Sequence, residues 1–185
     1  MQIENHFDIP TAPASAWPIL MNVPETAACF PGAGMIEPIS ADQYKGRVTV
    51  KLGPLTMVFS GALHIENRDD AGYSVTIKAH WTETKGRGNA ITVTRFTLQE
   101  QGDGTRVTLH SELQLAGQVA QYGRGAGMIS AISAQLISTF AENLRARIQV
   151  TGSSSVTPLV QAHQAAPEIS GLTLIAKALG TRLKG

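Results

Sequence analysis

A single cysteine, Cys29, stands among 185 residues, which excludes an internal disulfide and suits a reducing cytoplasm. Cys29 lies in the apolar run Ala27-Ala28-Cys29-Phe30 with no histidine near it in sequence, so it reads as a small buried hydrophobe and not as a catalytic thiol. No stretch of about 18 apolar residues occurs, so no membrane-spanning helix is expected. The start, Met1-Gln2-Ile3-Glu4-Asn5, has neither the cationic region nor the apolar run of a secretory signal. Charge is also scarce: charged residues are 16% of the chain and the formal net charge is +1, which gives no reason to expect nucleic acid as a partner. Phosphate-binding fingerprints are missing too, because Gly123-Arg124-Gly125-Ala126-Gly127 fits neither G-x-G-x-x-G nor G-x-x-x-x-G-K.

What is present is a core and a pattern. Hydrophobic residues make up 43% of the chain, enough to fill one core at a length near that of a single domain. Residues 1–148 carry 12 basic and 13 acidic side chains, whereas residues 149–185 carry Lys177, Arg182 and Lys184 against Glu168 alone. Gln2 to Ile9 alternates, with Ile3, Phe7 and Ile9 on one face and Glu4, His6 and Asp8 on the other, the period of a half-buried strand. Pro10 and Pro13 stop that strand. Pro13 suits the first turn of a helix running to about Met21 and bent by Pro18, and a second short helix follows Asn22-Val23-Pro24 and ends at Pro31-Gly32.

From Met35 onward the period is two. Val48, Val50 and Leu52 oppose Arg47, Thr49 and Lys51; Met57, Phe59, Leu63 and Ile65 oppose Ser60, His64 and Glu66. Val75, Ile77 and Trp81 oppose Thr76, Lys78 and His80, and Val107, Leu109, Leu113 and Leu115 oppose Thr108, His110 and Glu112. Turns at Gly53-Pro54, Arg68 to Gly72, Lys85-Gly86 and Gly102-Asp103-Gly104 join these runs into an antiparallel meander. One strand changes parity, with Ile91 and Val93 on odd positions but Phe96 and Leu98 on even ones; a bulge near Thr94-Arg95 is expected, with two-sided burial the alternative.

Met128, Ile129, Ile132, Leu136, Phe140, Leu144 and Ile148 then recur at three- and four-residue spacing. They predict a helix from Tyr122 to Ile148, 27 residues and about 40 Å long. Gly123, Gly125 and Gly127 weaken its first turns, either because backbones approach closely there or because the helix start is a flexible gate. This order of elements predicts an α+β helix-grip fold over residues 1–148: a seven-stranded curved antiparallel sheet wrapped on a long C-terminal helix, with two short helices between strands 1 and 2. The space between sheet and helix is either closed core or a ligand pocket.

Residues 149–168 read as a flexible linker, rich in Ser, Ala and Gln. Residues 169–185 read as an amphipathic tail. Ile169, Leu172, Ile175, Leu179 and Leu183 share one face, while Lys177 and Lys184 lie on the other and Arg182 adds to the charge, so the segment suits a membrane headgroup region or a protein surface. No catalytic or metal-binding constellation emerges. Histidines 6, 64, 80 and 110 sit on the polar parity of their strands, and Glu66, Glu83, Glu100 and Glu112 read as outward carboxylates.

A family resemblance rests on particular motifs: Phe7-Asp8-Ile9-Pro10-Thr11-Ala12-Pro13, Ala16-Trp17-Pro18-Ile19-Leu20, Pro24, Phe30-Pro31-Gly32-Ala33, and Tyr44-Lys45-Gly46-Arg47-Val48-Thr49-Val50-Lys51-Leu52-Gly53-Pro54. With Gly86-Arg87-Gly88 and the segment Thr105 to Gly117, the chain resembles the carbon monoxide dehydrogenase G-subunit family over residues 2–148, within the helix-grip (START and Bet v 1-like) superfamily. The resemblance implies a non-catalytic accessory protein of a molybdenum hydroxylase, with no covalent cofactor, that binds respiratory quinone or lipid. It also implies attachment of the enzyme to the inner face of the cytoplasmic membrane, a peripheral cytoplasmic location. A cyclase or hydrolase using the same pocket, or a purely structural adaptor, are the alternatives, and a homo-oligomer stays open. The expected pocket residues are Val50, Leu52, Phe59, Ile77, Trp81 and Leu113 on the sheet with Met128, Ile132 and Leu136 on the helix.

Overall fold

The structure, a computed structural model, describes residues 1–52, 55–123 and 126–153. The Gly53-Pro54 turn, Gly125, and the tail residues Ile169, Leu172, Ile175, Lys177, Leu179, Arg182, Leu183 and Lys184 lie outside the described residues. The elements run β1 (Gln2–Ile9), α1 (Pro13–Met21), α2 (Val23–Cys29), β2 (Ala33–Pro38), β3 (Gln43–Leu52), β4 (Leu55–Asp69), β5 (Ser74–Glu83), β6 (Gly88–Gln101), β7 (Gly104–Gly117), α3 (Ala120–Gly123) and α4 (Ala126–Ser153). All seven strands form one antiparallel sheet in the order β1-β7-β6-β5-β4-β3-β2, curled into a half-barrel. The two helices between β1 and β2 carry the chain from one edge of the sheet to the other.

Local chemistry explains the crossing. Pro13 opens α1, and the Thr26 hydroxyl of α2 donates to the carbonyls of Ile19 (2.9 Å) and Leu20 (3.2 Å), closing off acceptors that the end of α1 leaves without helical partners. Gly32 has φ +80, and a Cβ there would lie 2.1 Å from the Thr49 carbonyl oxygen, so the Pro31-Gly32 turn needs glycine for both conformation and approach. Curvature of the sheet has a similar mark at Gly61. It pairs with Trp81, and a Cβ on it would meet the His80 carbonyl oxygen at 1.9 Å.

The long helix departs from expectation at both ends. It starts at Ala126, preceded by the separate turn α3, and runs to Ser153, past the expected end at Ile148. Gly127 has no heavy atom within 4 Å of where a Cβ would stand, so close backbone approach does not explain that glycine. The C-terminal half of α4 is pinned: Phe140 and Leu144 are in the buried cluster with Phe7, Ile9, Trp17 and Val107, and Phe7 meets Phe140 edge-on at 5.5 Å. Asn143 Nδ2 donates to the Cys29 carbonyl (2.9 Å), Arg145 Nε donates to the Asp8 carbonyl (2.8 Å), and Arg147 pairs with Glu25. Among the described residues no helix is long and apolar enough to cross a membrane.

Strand β6 shows no bulge near Thr94-Arg95, contrary to the expectation from sequence. Its pairing runs without a shift from Gly88 to Gln101 against β7. Even-numbered residues therefore face inward throughout, so Thr92 and Thr94 take the inner positions and Ile91 and Val93 do not. An irregularity falls instead in β2, between Ala33 and Ile36 opposite Arg47.

Candidate ligand-binding cavity

A cavity of about 470 Å³ lies between the concave face of the sheet and α4, within the range typical of small-molecule sites. Its walls follow from strand parity. Val48 and Val50 of β3, Met57, Phe59 and Leu63 of β4, Ile77 and Trp81 of β5, and Leu113 and Leu115 of β7 all point inward, and Ile129, Ile132, Leu136 and Ile137 of α4 form the roof. Trp17 of α1 and Phe30, just past the end of α2, close the end nearest the main core. Among the described residues the N-terminal half of α4 has one tying side-chain hydrogen bond, Asn5 Nδ2 of β1 donating to Ser133 Oγ at 2.8 Å, against the two hydrogen bonds and the ion pair of its C-terminal half.

Seven of the nine expected pocket residues, Val50, Phe59, Ile77, Trp81, Leu113, Ile132 and Leu136, line this space. Met128 does not. It is 42% exposed, and its neighbour Ile129 occupies the inward position, on the face that Ile132, Ser133, Leu136 and Ile137 turn to the cavity. The Leu52 side chain lies outside the described ones.

Polar groups in the described lining are few and mostly hydroxyls. Thr92, Thr94, Ser111 and Ser133 bring hydroxyls to the walls, with Thr26 at the α2 side and Arg47, an exposed residue, at the β2–β3 edge. Thr94 Oγ1 and Ser111 Oγ lie 3.0 Å apart on paired positions of β6 and β7. Sequence reasoning missed these residues by assigning polar side chains to the outer face. Asn5, on the inward parity of β1, was available as a signal.

Glu83 corrects another expectation. It is 1% exposed and not an outward carboxylate. Arg87 Nη2 donates to its Oε1 at 2.7 Å, and the amides of Lys85 (2.8 Å) and Arg87 (3.2 Å) donate to Oε2. The Arg87 hydrogen bonds, outweighing desolvation, hold this carboxyl at about 2 against an ordinary 4.5. Arg87 also reaches the Thr56 carbonyl, so the group staples the β5–β6 turn to β4. Glu83 does not line the cavity, and its three donors make it a structural anion.

The histidines of the strands lie on the outer face of the sheet. His64 sits 3.3 Å from Glu66 and His110 3.3 Å from Glu4, while His64 and His80 border one shallow depression on the outer face of β4 and β5. Among the described residues no group of three or more His, Cys, Asp or Glu could hold a metal ion. Cys29 is 3% exposed, and burial pushes its thiol up from the ordinary value, away from the reactive thiolate. Trp17 Nε1 donates to Asp70 Oδ1 at 2.6 Å, and this bond together with Arg68 holds the Asp70 carboxyl below its ordinary range while fixing the indole in the cavity wall.

A model of the carbon monoxide dehydrogenase G-subunit family (CoxG) matches residues 6–149. Solved structures of similar fold include a conserved protein from Geobacillus kaustophilus, 18% identical with a TM-score of 0.72, covering 82% of this chain and 97% of that one. The Zhui aromatase/cyclase from Streptomyces sp. R1128 is 11% identical with a TM-score of 0.59, covering 85% of this chain and 99% of its own. A START superfamily protein from Mycobacterium smegmatis is 12% identical with a TM-score of 0.58, covering 81% and 98%. Likeness at these identities is likeness of fold. No curated protein sequence matches the chain.

Proposed function

Because the chain belongs to the carbon monoxide dehydrogenase G-subunit family, we propose that it is a non-catalytic accessory protein of a molybdenum hydroxylase. In this reading its cavity takes up part of a lipid or respiratory quinone, and residues 169–185 bring it to the inner face of the cytoplasmic membrane. The observation that carries the proposal is the lining. Among the described residues bordering the cavity there is no Asp, Glu, His, Lys, Cys or Tyr, so the wall hydroxyls have no neighbouring base to activate them as nucleophiles and no side chain stands ready for general acid–base work. An apolar wall with a few hydroxyls suits capture and release.

The volume limits what is enclosed. A cavity of about 470 Å³ is of the size of sites that take up small molecules, room for a ring system with part of an attached chain. In this reading a long prenyl or acyl tail extends beyond the walls, as a carrier that exchanges its cargo with a bilayer requires. The tail segment offers an apolar face plus Lys177, Arg182 and Lys184, each worth about 1 kcal/mol near an anionic surface.

Two measurements test this reading. Extraction of the protein purified from its native host, followed by mass spectrometry, should yield a quinone or lipid; a consistently empty protein overturns the carrier role. Ending the chain after Ser153, where α4 ends, should leave thermal unfolding unchanged and abolish sedimentation with anionic liposomes. The intact protein's sedimentation should weaken in high salt. Equal sedimentation of both forms overturns the membrane role.

A further inference from the structure

The hydroxyls on the cavity wall form an ordered set. Thr94 and Ser111 pair across β6 and β7, and the same row continues to Ile77 on β5 and Ile3 on β1, so one polar pair is framed by isoleucine on both sides. Thr92 stands one inward position along β6. Facing them from the roof is Ser133, whose oxygen accepts from Asn5.

Counting protons shows what this set lacks. A hydroxyl has one proton to donate and two lone pairs. In the Thr94–Ser111 pair only one proton lies between the two oxygens, so the other is uncommitted. Thr92 Oγ1 has no hydrogen-bond partner among the described residues. Ser133 accepts from Asn5 and makes no bond back to its own helix, in contrast to Thr139, which donates to the Gln135 carbonyl. Three donors are thus left for whatever fills the cavity.

Resting on the carrier reading above, we propose that this hydroxyl set is a polar subsite for the cargo. It selects an uncharged molecule bearing oxygen acceptors, of ketone, ester or ether type, on an apolar body. A pure hydrocarbon would displace water from the three donors and leave them unpaired. A carboxylate would give up its hydration with no cation inside, because the only cationic side chain at the described lining, Arg47, is exposed at the edge. A neutral acceptor meets the donors at least desolvation cost.

The test uses three naphthalenes of one shape on the full chain, with binding followed by fluorescence: 2-acetylnaphthalene, 2-ethylnaphthalene and 2-naphthoate. Acetyl and ethyl differ chiefly by one carbonyl oxygen, so the ratio of their dissociation constants reads the subsite. Thr92→Val, near in shape, should weaken acetylnaphthalene by about 3- to 10-fold, the usual range for one hydrogen bond. It should leave ethylnaphthalene unchanged or tighter. Thr92→Ser should keep the wild-type ratio, and Ser111→Ala should move the ratio in the direction of Thr92→Val, giving a second reading should the valine variant fold poorly. Naphthoate should bind weakest of the three. If ethylnaphthalene binds but the ratio is the same in wild type, Thr92→Val and Ser111→Ala, the subsite is refuted while the carrier reading stands. If the wild type binds none of the three, both fall.

Discussion

Two leucines on α4, eight residues apart, distinguish an open cavity from a closed core. Leu144 is 1% exposed and belongs to the main buried cluster, whereas Leu136 borders the cavity and is half-buried. The same Leu→Ala change at both sites alters helix propensity equally, so the difference isolates packing. At Leu144 the loss combines transfer of three buried carbons, about 2.4 kcal/mol at 0.8 per methylene, with a new void, for a total of about 3 to 4 kcal/mol. In a folded unit of this size that lowers Tm by roughly 6–16 °C at 2–4 °C per kcal/mol. At Leu136 one side of the leucine already faces empty space, so only part of the transfer is lost and an existing void is enlarged. The expected cost is about 1 kcal/mol, or roughly 2–4 °C. Differential scanning calorimetry of the ligand-free protein measures both. Leu136→Ala should also weaken 2-acetylnaphthalene binding, and Leu144→Ala should not. Equal losses of stability at the two positions would refute the cavity and leave a filled adaptor.

Glu83→Gln tests the buried staple through pH. The carboxyl's pKa falls from an ordinary 4.5 to about 2 on folding, so its stabilisation is full above about pH 4.5 and is lost as pH falls through about 2. Wild type should therefore melt higher than Glu83→Gln at pH 6, with the two Tm curves converging toward pH 2; a gap that stays constant with pH would show that the charge is not the stabilising element. Gly32→Ala places a side chain at φ +80 and 2.1 Å from the Thr49 carbonyl oxygen. It should cost more than about 1 kcal/mol in chemical denaturation, and a neutral result would remove the turn from the set of positions that require glycine.

The fold was legible because its signals are periodic. Alternation in β3, β4, β5 and β7 and the three-four spacing of α4 each state which face is apolar, and two proline-punctuated helices between β1 and β2 leave few other topologies. The misses on the sheet share one cause, which is that parity sorts side chains by polarity alone. Thr92 and Thr94 are on the inner face, yet as polar residues they make β6 look as if it switched faces, and a bulge is then needed to rescue a rule that the strand does not break. Glu83 lies on the inward parity of Val75, Ile77 and Trp81, but a carboxylate at that position makes sense only once a turn brings Arg87 and two amides onto it. Met128 failed through phase: on the helix whose Ile132, Leu136 and Ile137 face the cavity, Ile129 turns inward and Met128 outward.

Those misses concern the part of the molecule that would give a cargo its identity. The apolar wall, which sequence periodicity exposes, is shared by any sheet that curls around a helix, and it sets only size and hydrophobicity. Chemical choice comes from the exceptions, a few hydroxyls placed where the pattern calls for valine or leucine. In a closed core such substitutions would be costly unless each hydroxyl were satisfied internally. Here the Thr94–Ser111 pair is half-satisfied and Thr92 is not satisfied by the protein at all among the described residues. An occupant that lacks oxygen strips the water from these hydroxyls and leaves them unpaired, whereas one that carries it pairs them, so the groups that break the pattern become the basis on which the cavity tells one apolar molecule from another.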